Sequence, residues 1–395
     1  MSGSLDPINE PKHVPMTKKI ALSATALALI FASIQAHAQN SVTLYGIIDT
    51  GFTYTHNSGG SASQFAMTSG NESGSRWGLK GSEDLGGGLK TIFQLENGFN
   101  STTGKLGQGS REFGRQAFVG LSGTSWGTVT LGRQYDPVVD LVQPVQGDNY
   151  LGGIFTSPGD VDNADNSVRF NNAVKWASPT WGGLTAEAMY AAGGVAGSTS
   201  NGQSYSAALA YNSGPLALAA GYLHIDNGTA SVRGTTSSTS TADSLFNTNV
   251  NLHYESAKAI NIARIGGNYQ IGAVTVGAYG SYSDYKPDAS SAFTTSEKYK
   301  VGSAYAVWQV SAPLSTEIGY VYMKSSGDSS AAYNQFAIAA DYFISKRTDF
   351  YAFAGYTRAS GSNGLGAADA VVGSTDTDSG KSSQAIVTVG IRHKF

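Results

Sequence analysis

The last twelve residues of the chain carry the pattern that most restricts its fold. Odd-numbered and even-numbered positions differ in polarity. The odd-numbered positions include Ala385, Val387, Val389, Ile391 and Phe395, and the even-numbered positions include Thr388, Gly390, Arg392 and Lys394. Because successive side chains of a strand point to opposite faces of a sheet, one face is apolar and the other is polar or cationic. A membrane β-barrel needs this arrangement, with lipid outside, water inside and aromatic rings near the interface. The last strand of a soluble β-sandwich would alternate in the same way.

The N-terminal residues predict export. Residues 16–19 are a short basic start, residues 20–34 are an apolar run, and Ala36-His37-Ala38 matches a cleavage site. Together they form the three-part pattern of a secretory signal peptide. The run of about 15 residues is shorter than the roughly 20 that a membrane-spanning helix needs. We therefore predict an N-terminal extension over 1–15, a signal peptide over 16–38 that is cleaved after Ala38, and a barrel over 39–395.

Composition narrows the class of protein further. The chain has no cysteine, which excludes disulfides and thiol chemistry. Its net charge of −3 gives no reason to expect a nucleic-acid partner. After residue 38 no stretch is long and apolar enough for a transmembrane helix. A membrane location must therefore depend on strands, and only a closed barrel satisfies every strand backbone group in lipid.

The connections between the predicted strands have two lengths. Short turns such as 84–88, 213–215 and 271–273 alternate with long polar loops such as 57–74, 136–166, 192–203 and 358–383, which are rich in Gly, Ser, Thr, Asn and Asp. Short turns at one end and long loops at the other are the layout of outer-membrane barrels. Counting hairpins predicts an all-β, antiparallel transmembrane barrel of about 16 strands, an even number as this class requires.

Several segments together resemble the trimeric general porins of Gram-negative bacteria, most closely those of β-proteobacteria. They are SVTLYG at 41–46, SRWGLKGSEDLG at 75–86, GRQAFVGL at 114–121, GTVTLGRQY at 127–135, ISKRT at 344–348 and GIRHKF at 390–395. The match runs through residues 39–395 in the order of the family. The resemblance implies an outer-membrane homotrimer of 16-stranded barrels whose third loop, 136–166, folds inward and narrows the pore. It also implies that Phe395 is the signal read by the barrel assembly machinery.

The resemblance further implies a constriction where cationic wall residues face acids of the third loop. The wall residues carried over by motif are Arg76 and Arg115, with Arg169 in the strand after the loop and Lys80 as a lower-ranked candidate. Alternation independently favours an inward Arg76, with Trp77 and Leu79 outward. It also favours inward Arg169 and Lys175, with the residues between and around them outward, namely Val168, Phe170, Val174 and Trp176. Arg115 shares its parity with Val119 and Leu121, an outward pattern that a trimer contact would explain.

The third loop contains six aspartates, of which Asp140 and Asp148 are the favoured lumen-facing acids. A loop of this length without regular structure is usually functional or disordered. Opposed charges across a narrow pore set a transverse field, and rings of charge control which ions pass.

Other functions fit the sequence less well. The histidines after residue 38, which are His56, His224, His253 and His393, lack the spacing of metal ligands, and we expect no cofactor. A hydrolase barrel would need a Ser or Asp/His constellation at its mouth, and nothing in the sequence brings one together. The preferred function is passive diffusion of ions and small hydrophilic solutes across an outer membrane, with a modest anion preference. The alternatives are a solute-selective channel of the same fold and a plugged structural barrel.

Overall fold

The computed structural model describes residues 41–227 and 245–395. The predicted extension 1–15 and signal peptide 16–38 lie outside the described residues, so both stay predictions. Seventeen strand segments form one antiparallel sheet. They are β1 Ser41–His56, β2 Ser63–Ser69, β3 Arg76–Gly86, β4 Leu89–Gly98, β5 Gln116–Gly123, β6 Gly127–Gln134, β7 Phe170–Ala177, β8 Leu184–Ala191, β9 Ser204–Ser213, β10 Leu216–Asp226, β11 Ala259–Ile271, β12 Val274–Lys286, β13 Glu297–Ser311, β14 Leu314–Ser326, β15 Ser330–Phe343, β16 Thr348–Ser362 and β17 Ser383–Lys394.

The seventeen segments occupy sixteen positions in a closed barrel. One edge of β1 pairs with β3 at residues 41–47 and with β2 at residues 50–56, so β2 and β3 together fill a single position. The other edge of β1 pairs with β17, which closes the sheet on itself. The predicted sixteen-stranded antiparallel barrel is confirmed. Residues 57–74 are not one loop as expected, because 63–69 form β2 and leave 70–75 as a short insertion between two strands.

Turns and loops segregate to opposite ends of the barrel. Short links such as 87–88, 214–215 and 272–273 join strands at one end, and links such as 99–115, 135–169 and 363–382 join them at the other. The short turns need backbone conformations with positive φ, which glycine adopts without steric cost, as at Gly87 (φ 62°) and Gly272 (φ 60°). In outer-membrane barrels the short turns are periplasmic and the long loops extracellular.

The barrel has the polarity of a protein surrounded by lipid. Large apolar side chains point outward and are exposed, for example Val42 (68%), Ile265 (64%) and Phe336 (59%). On the inner face, polar side chains such as Glu317 and Gln335 are buried. A soluble protein rarely exposes so continuous an apolar surface. Among the described residues, no helix is long and apolar enough to cross a membrane.

The third loop, residues 135–169, contains the main non-strand elements. They are helix α1 Pro137–Val142, helix α2 Asp148–Leu151, and 3-10 turns at Gln143–Val145, Gly153–Phe155 and Pro158–Asp160; a further 3-10 turn lies at Leu252–Tyr254 and a single irregular turn at Gly107–Ser110. Helix α1 begins where Asp136 accepts a hydrogen bond from the Val138 N–H (2.8 Å) and Pro137 occupies the first helical position. A cap of this kind is worth about 1 kcal/mol.

Side chains on the inner face of the wall hold the backbone of the third loop. Arg264 of β11 donates to the Asn163 carbonyl (2.8 Å), and Tyr305 of β13 donates to the Val145 carbonyl (2.9 Å). Gln335 of β15 donates to the carbonyls at 154 and 156 (2.8 and 2.9 Å). Because these wall side chains point into the lumen, the loop lies inside the barrel. Its apolar residues form a buried cluster with the inner face of β7–β15.

Candidate functional site

The third loop leaves a polar cavity of about 1230 Å³ against the opposite wall. The loop, the insertion 70–75 and the last strand all contribute to its lining. Ten charged side chains line it among the described residues: Arg76, Arg115, Arg169, Arg392, Lys394, Glu72, Asp148, Asp165, Asp341 and Asp376. Five are cationic and five are acidic, so the charge of the cavity depends on which acids are ionised or paired.

Arg115 lies at the end of the second loop, directly before β5 begins. Its Nε lies 2.7 Å from Oε1 of Glu96, a residue on the inner face of β4, and both side chains are buried. Because Arg115 lies before the strand, the outward alternation of Val119 and Leu121 does not extend to it. Two glycines make room for it, because a Cβ at Gly74 would lie 3.2 Å from Nη1 and a Cβ at Gly98 would lie 3.2 Å from Cδ.

Tyr135 joins two of the predicted arginines. The guanidinium carbons of Arg115 and Arg169 lie 5.9 and 4.9 Å from its ring centroid, within the range of cation–π attraction. Arg169 also donates to the Tyr135 hydroxyl (2.9 Å), the Asn166 side chain (3.1 Å) and the Ser167 carbonyl (3.0 Å). Its Nε is buried and has no hydrogen-bond partner among the described residues. One donor of Arg169 is thus left unsatisfied by the protein.

Arg76 begins β3 on the inner face, where its Nε donates to the Gly74 carbonyl (2.8 Å). It interacts electrostatically with Arg115, Arg169 and Glu96. Within the described part of the chain, neither Arg76 nor Arg169 forms an ion pair with a carboxylate, whereas Arg115 is paired with Glu96. The structure therefore brings the three predicted arginines together at one cavity.

The predicted alternation after the loop holds only for the second half of β7, where Val174 is exposed and Lys175 points inward. Val168 and Phe170 were predicted to point outward, and this is wrong, because both are fully buried in the apolar cluster beneath the loop. Asn172 has a positive φ of 53°, and the register between β6 and β7 shifts at the same level. A bulge of this kind re-aims the side chains before it. Parity alone therefore gives no basis for placing Arg169.

Two acids of the third loop face the cavity. Asp148 accepts a hydrogen bond from the Gln143 amide (2.7 Å) through one oxygen, and its other oxygen has no partner among the described residues. Burial raises the pKa of Asp148 to about 8, and the nearby Asp165 carboxylate adds to the effect. Asp165 accepts a hydrogen bond from the Ser374 hydroxyl of the last loop. Burial also raises the pKa of Asp165, against the opposing effect of that hydrogen bond and of Arg169.

The remaining two candidates lie away from this cavity. The Asp140 carboxylate on α1 forms an ion pair with Lys175 on the inner face of β7, which holds the helix to the wall. The Lys80 ammonium lies 5.2 Å from the ring centroid of Tyr45. It is four residues beyond Arg76 toward the short turns, roughly 13 Å along an extended strand. We therefore leave Asp140 and Lys80 out of the constriction proposed below.

A second charged group was not predicted. The guanidinium of Arg392 on β17 lies between Glu72 of the insertion, Asp341 of β15 and Asp349 of β16, with N–O distances of 3.0, 3.2 and 3.1 Å. Oxygens of these three buried carboxylates lie within 4.8 Å of one another, a spacing that would suit a metal ion. Arg392 already supplies positive charge at their centre. Only its inward parity was visible in the sequence, because its three partners come from distant parts of the chain.

The chain is similar to known proteins along most of its length. A family model described as Gram-negative porin matches residues 23–362. An outer membrane porin protein of Bordetella pertussis is 31% identical over 425 residues, covering 95% of this chain and 100% of that protein.

Solved structures of outer-membrane proteins share the fold, and two of them illustrate the match. The anion-selective porin from Comamonas acidovorans has a TM-score of 0.70 at 24% identity, over 90% of this chain and 100% of that one. The trimer form of in-vitro folded OmpT, an outer membrane protein of Vibrio cholerae, has a TM-score of 0.64 at 14% identity, over 90% and 99% of the two chains. The closed barrel, with its apolar outer face and polar inner face, is consistent with these matches. This chain is therefore an outer-membrane porin and belongs to the Gram-negative porin family.

Proposed function

We propose that this porin passes ions and small hydrophilic solutes down their gradients through the cavity, with a modest preference for anions. The observation that carries the proposal is the trio of Arg76, Arg115 and Arg169 at the third loop. Two of them lack a carboxylate partner among the described residues, and Arg169 has an unsatisfied donor. Arginine stays charged at every working pH, so these groups attract anions under all conditions of use.

Protonation of the loop acids strengthens this bias. With a pKa of about 8, Asp148 is only about a tenth ionised at pH 7. Burial and the nearby Asp165 raise the pKa of Asp376, on the last loop, to about 7, so it is roughly half ionised there. Arg392 is already shared among three carboxylates. Incomplete ionisation of Asp148 and Asp376 thus reduces the negative charge that opposes the three arginines, although the whole chain carries a net charge of −3.

Recording from planar bilayers tests this proposal. The purified protein should form channels whose reversal potential in a KCl gradient has the sign of anion selectivity. Two unit charges about 4 Å apart in water interact by about 1 kcal/mol, so several arginines could bias permeation about tenfold. The bias should fade as salt rises, because the Debye length falls from roughly 10 Å at 0.1 M to 3 Å at 1 M. Absence of conductance would indicate a plugged barrel, and cation selectivity at low salt would contradict the anion preference.

We further propose that the porin is a homotrimer whose copies contact one another through strands β5–β8. We call this part of the barrel the low wall, because its strands are short. Strands β5–β8 have eight residues each, while β13 and β16 have fifteen. At the usual rise and tilt, eight residues span roughly 20 Å, less than the apolar band of about 25 Å. Exposed apolar residues on this low wall, such as Val119, Leu121 and Leu131, suit contact with a second copy.

The oligomeric state can be measured directly. Unheated detergent electrophoresis and light scattering should show three copies that separate on boiling. A polar substitution at the low wall, Leu131→Asn, should weaken the trimer, whereas Ile338→Asn on the high wall should not. A monodisperse monomer in mild detergent would contradict the assignment.

A further inference from the structure

A group of charged side chains on the inner face lies at the seam where β17 pairs with β1. Its members interact electrostatically with one another and form what we call the seam cluster: Asp49, Glu72, Asp341, Asp349, Arg392 and Lys394. Four of them are carboxylates and two are cations. With its acids ionised, the seam cluster therefore has two more negative than positive charges.

Arg392 does not neutralise the carboxylates equally. Its Nε and Nη2 donate to the two oxygens of Asp349 (3.1 and 3.2 Å), and Nη2 also donates to Oδ2 of Asp341 (3.2 Å). Its Nη1 donates to the Ser73 hydroxyl (2.8 Å). Oε1 of Glu72 lies 3.0 Å from Nη1, but the angles of this contact do not make a hydrogen bond. Glu72 thus lies beside the guanidinium without being bonded to it.

Three buried oxygens of the seam cluster are unsatisfied. Both carboxylate oxygens of Glu72 and Oδ1 of Asp341 have no hydrogen-bond partner in the part of the chain that the structure describes. The Glu72 side chain is 1% exposed and that of Asp341 is 0% exposed. Burying an ionised carboxylate is costly unless it is hydrogen-bonded, paired or bound to a metal. An orphaned buried oxygen therefore indicates a missing ligand, such as an ion.

The protein holds Glu72 in place from two sides. Asp49 of β1 accepts hydrogen bonds from the backbone N–H groups of Glu72 and Ser73 (2.8 and 2.7 Å). On the other side, Gly152 at the end of α2 packs so closely that a Cβ there would lie 3.1 Å from the Glu72 Cα. The Glu72 backbone is thus fixed between β1 and the third loop. A site that is already ordered binds an ion without a large loss of conformational entropy.

The spacing and chemistry of the free oxygens suit a calcium ion. Oxygens of Glu72, Asp341 and Asp349 lie within 4.8 Å of one another. Ca²⁺ lies about 2.3–2.6 Å from its ligands, so two oxygens that bind one ion are at most about 5 Å apart. Ca²⁺ tolerates irregular sets of oxygens, whereas Mg²⁺ needs a near-ideal octahedron. Glu72 and Asp341 also line the cavity, so an ion can enter from the pore and keep some of its water ligands.

We propose that the seam cluster binds one Ca²⁺ ion through carboxylate oxygens of Glu72, Asp341 and Asp349, beside Arg392. The ion brings the cluster to neutrality, because its two charges balance the excess of two carboxylates. It also joins the insertion 70–75 to β15 and β16 next to the seam, so it stabilises the closed barrel. The three arginines of the cavity take no part in the site, and the proposal is therefore independent of the anion preference proposed above.

The test uses the refolded full chain, freed of metal with EDTA and transferred to a neutral detergent at about 0.15 M NaCl to screen weak contacts. Calorimetric titration with CaCl₂ should show one Ca²⁺ per chain with a Kd of about 1 mM or tighter. Calcium should also raise the temperature at which the barrel loses its β-sheet circular dichroism. A solely structural role of Glu72 would change this temperature but not its dependence on calcium.

Glu72→Gln should weaken calcium binding about tenfold or more and abolish the calcium-dependent rise, because one of three anionic ligands becomes neutral at almost unchanged size. The matched control is Asp376→Asn, which removes a carboxylate from the same cavity but outside the seam cluster. This control should bind Ca²⁺ like the parent protein.

Three results would overturn the proposal. They are equal affinity of Glu72→Gln and the parent, loss of binding in Asp376→Asn, and no binding by the parent up to about 10 mM Ca²⁺. The second result would place the ion at the loop acids and not at the seam. Should Glu72→Gln fail to fold, Glu72→Asp, which keeps the charge but withdraws the carboxylate, should bind severalfold more weakly than the parent. An unchanged affinity of that variant would count equally against the site.

Discussion

Arg392 of the last strand lies 3.0 Å from the Glu72 carboxylate, which belongs to the insertion between β2 and β3. Arg392 also donates to the Ser73 hydroxyl (2.8 Å), and Asp49 of β1 accepts from the backbone N–H groups of Glu72 and Ser73 (2.8 and 2.7 Å). The insertion is thus held against the seam where the first and last strands close the barrel. One arginine joins the closure of the barrel to the shape of the cavity.

Removal of Arg392 should destabilise the barrel more than removal of any exposed arginine. Arg392→Met leaves three buried carboxylates close together without their cation, and breaking a buried ion pair by removing one partner costs about 3–5 kcal/mol. We expect the temperature at which the barrel loses its β-sheet circular dichroism to fall clearly. Arg358→Met, an exposed arginine on the adjacent strand, is the matched control and should change this temperature little. An equal effect of both substitutions would show that the ion-pair group contributes nothing particular.

The barrel was predictable because its signals are local. Alternation along β17, short glycine turns and long polar loops each depend on residues within one hairpin, and all were visible in the sequence. The sixteen positions followed from counting hairpins. The insertion at 70–75 was missed because β2 has only seven residues and lies between two segments rich in Gly, Ser and Asn, so that it looks like part of a loop. Local patterns cannot show that Glu72 forms an ion pair with Arg392, which lies some 320 residues later in the chain.

The cavity was predictable only in part, for a related reason. Motifs identified Arg76 and Arg115, but the bulge at Asn172 breaks the alternation that seemed to support Arg169. Which acid faces the cavity depends on how α1 and α2 pack against the wall. Asp140 forms an ion pair with Lys175 and does not line the cavity. Asp165 faces the cavity instead and accepts a hydrogen bond from Ser374 of the last loop. Such pairings join distant parts of the chain and leave no periodic trace.

The arginines of the cavity should control selectivity. Arg76→Ala with Arg169→Ala removes the two cavity arginines that lack a carboxylate partner among the described residues, so the reversal potential at low salt should move toward cations and the conductance should rise. Lys80→Ala is the matched control, because Lys80 is a cation on the same inner face of β3 outside the cavity, and it should have a smaller effect. If the double variant keeps the parent's conductance and reversal potential, these residues do not line the constriction.

Selectivity should also depend on pH in the alkaline range. The pKa of Asp148 is raised by burial to about 8, so its carboxyl is mostly neutral below pH 7 and mostly ionised above pH 9. Anion preference should therefore fall as pH rises through 8. Asp148→Asn should remove the part of this pH dependence near pH 8 and leave the part due to Asp376, whose pKa is about 7, while changing the reversal potential little at pH 6. A large effect of the substitution at pH 6 would show that Asp148 is ionised there and that the direction of the pKa shift is wrong.

Gln335 should keep the third loop in place. Its amide donates to two loop carbonyls, and its oxygen accepts from the Gly373 N–H of the last loop (2.6 Å) and from the Thr357 hydroxyl (3.0 Å). Loss of these buried bonds costs about 1 kcal/mol each. Gln335→Ala should therefore increase the frequency of closures in single-channel records. Asn334→Ala, one residue away on the outward face, should leave the records unchanged, and similar gating in both variants would refute this role.

Phe395 should act in assembly and not in conduction. Its backbone exchanges hydrogen bonds with Gly46 of β1 (3.0 and 3.1 Å), and its ring lies so close to Gly46 that an added Cβ there would overlap it. The terminal residue thus completes the seam between the first and last strands. Deletion of Phe395 should lower the amount of folded barrel in the outer membrane, measured by heat-modifiable migration, while the surviving channels keep the parent's conductance. Gly46→Val should reproduce this defect by displacing the ring. Val42→Ile, which enlarges an exposed outward side chain on the same strand, should not, and normal folded levels after deletion would leave Phe395 as an ordinary interfacial aromatic residue.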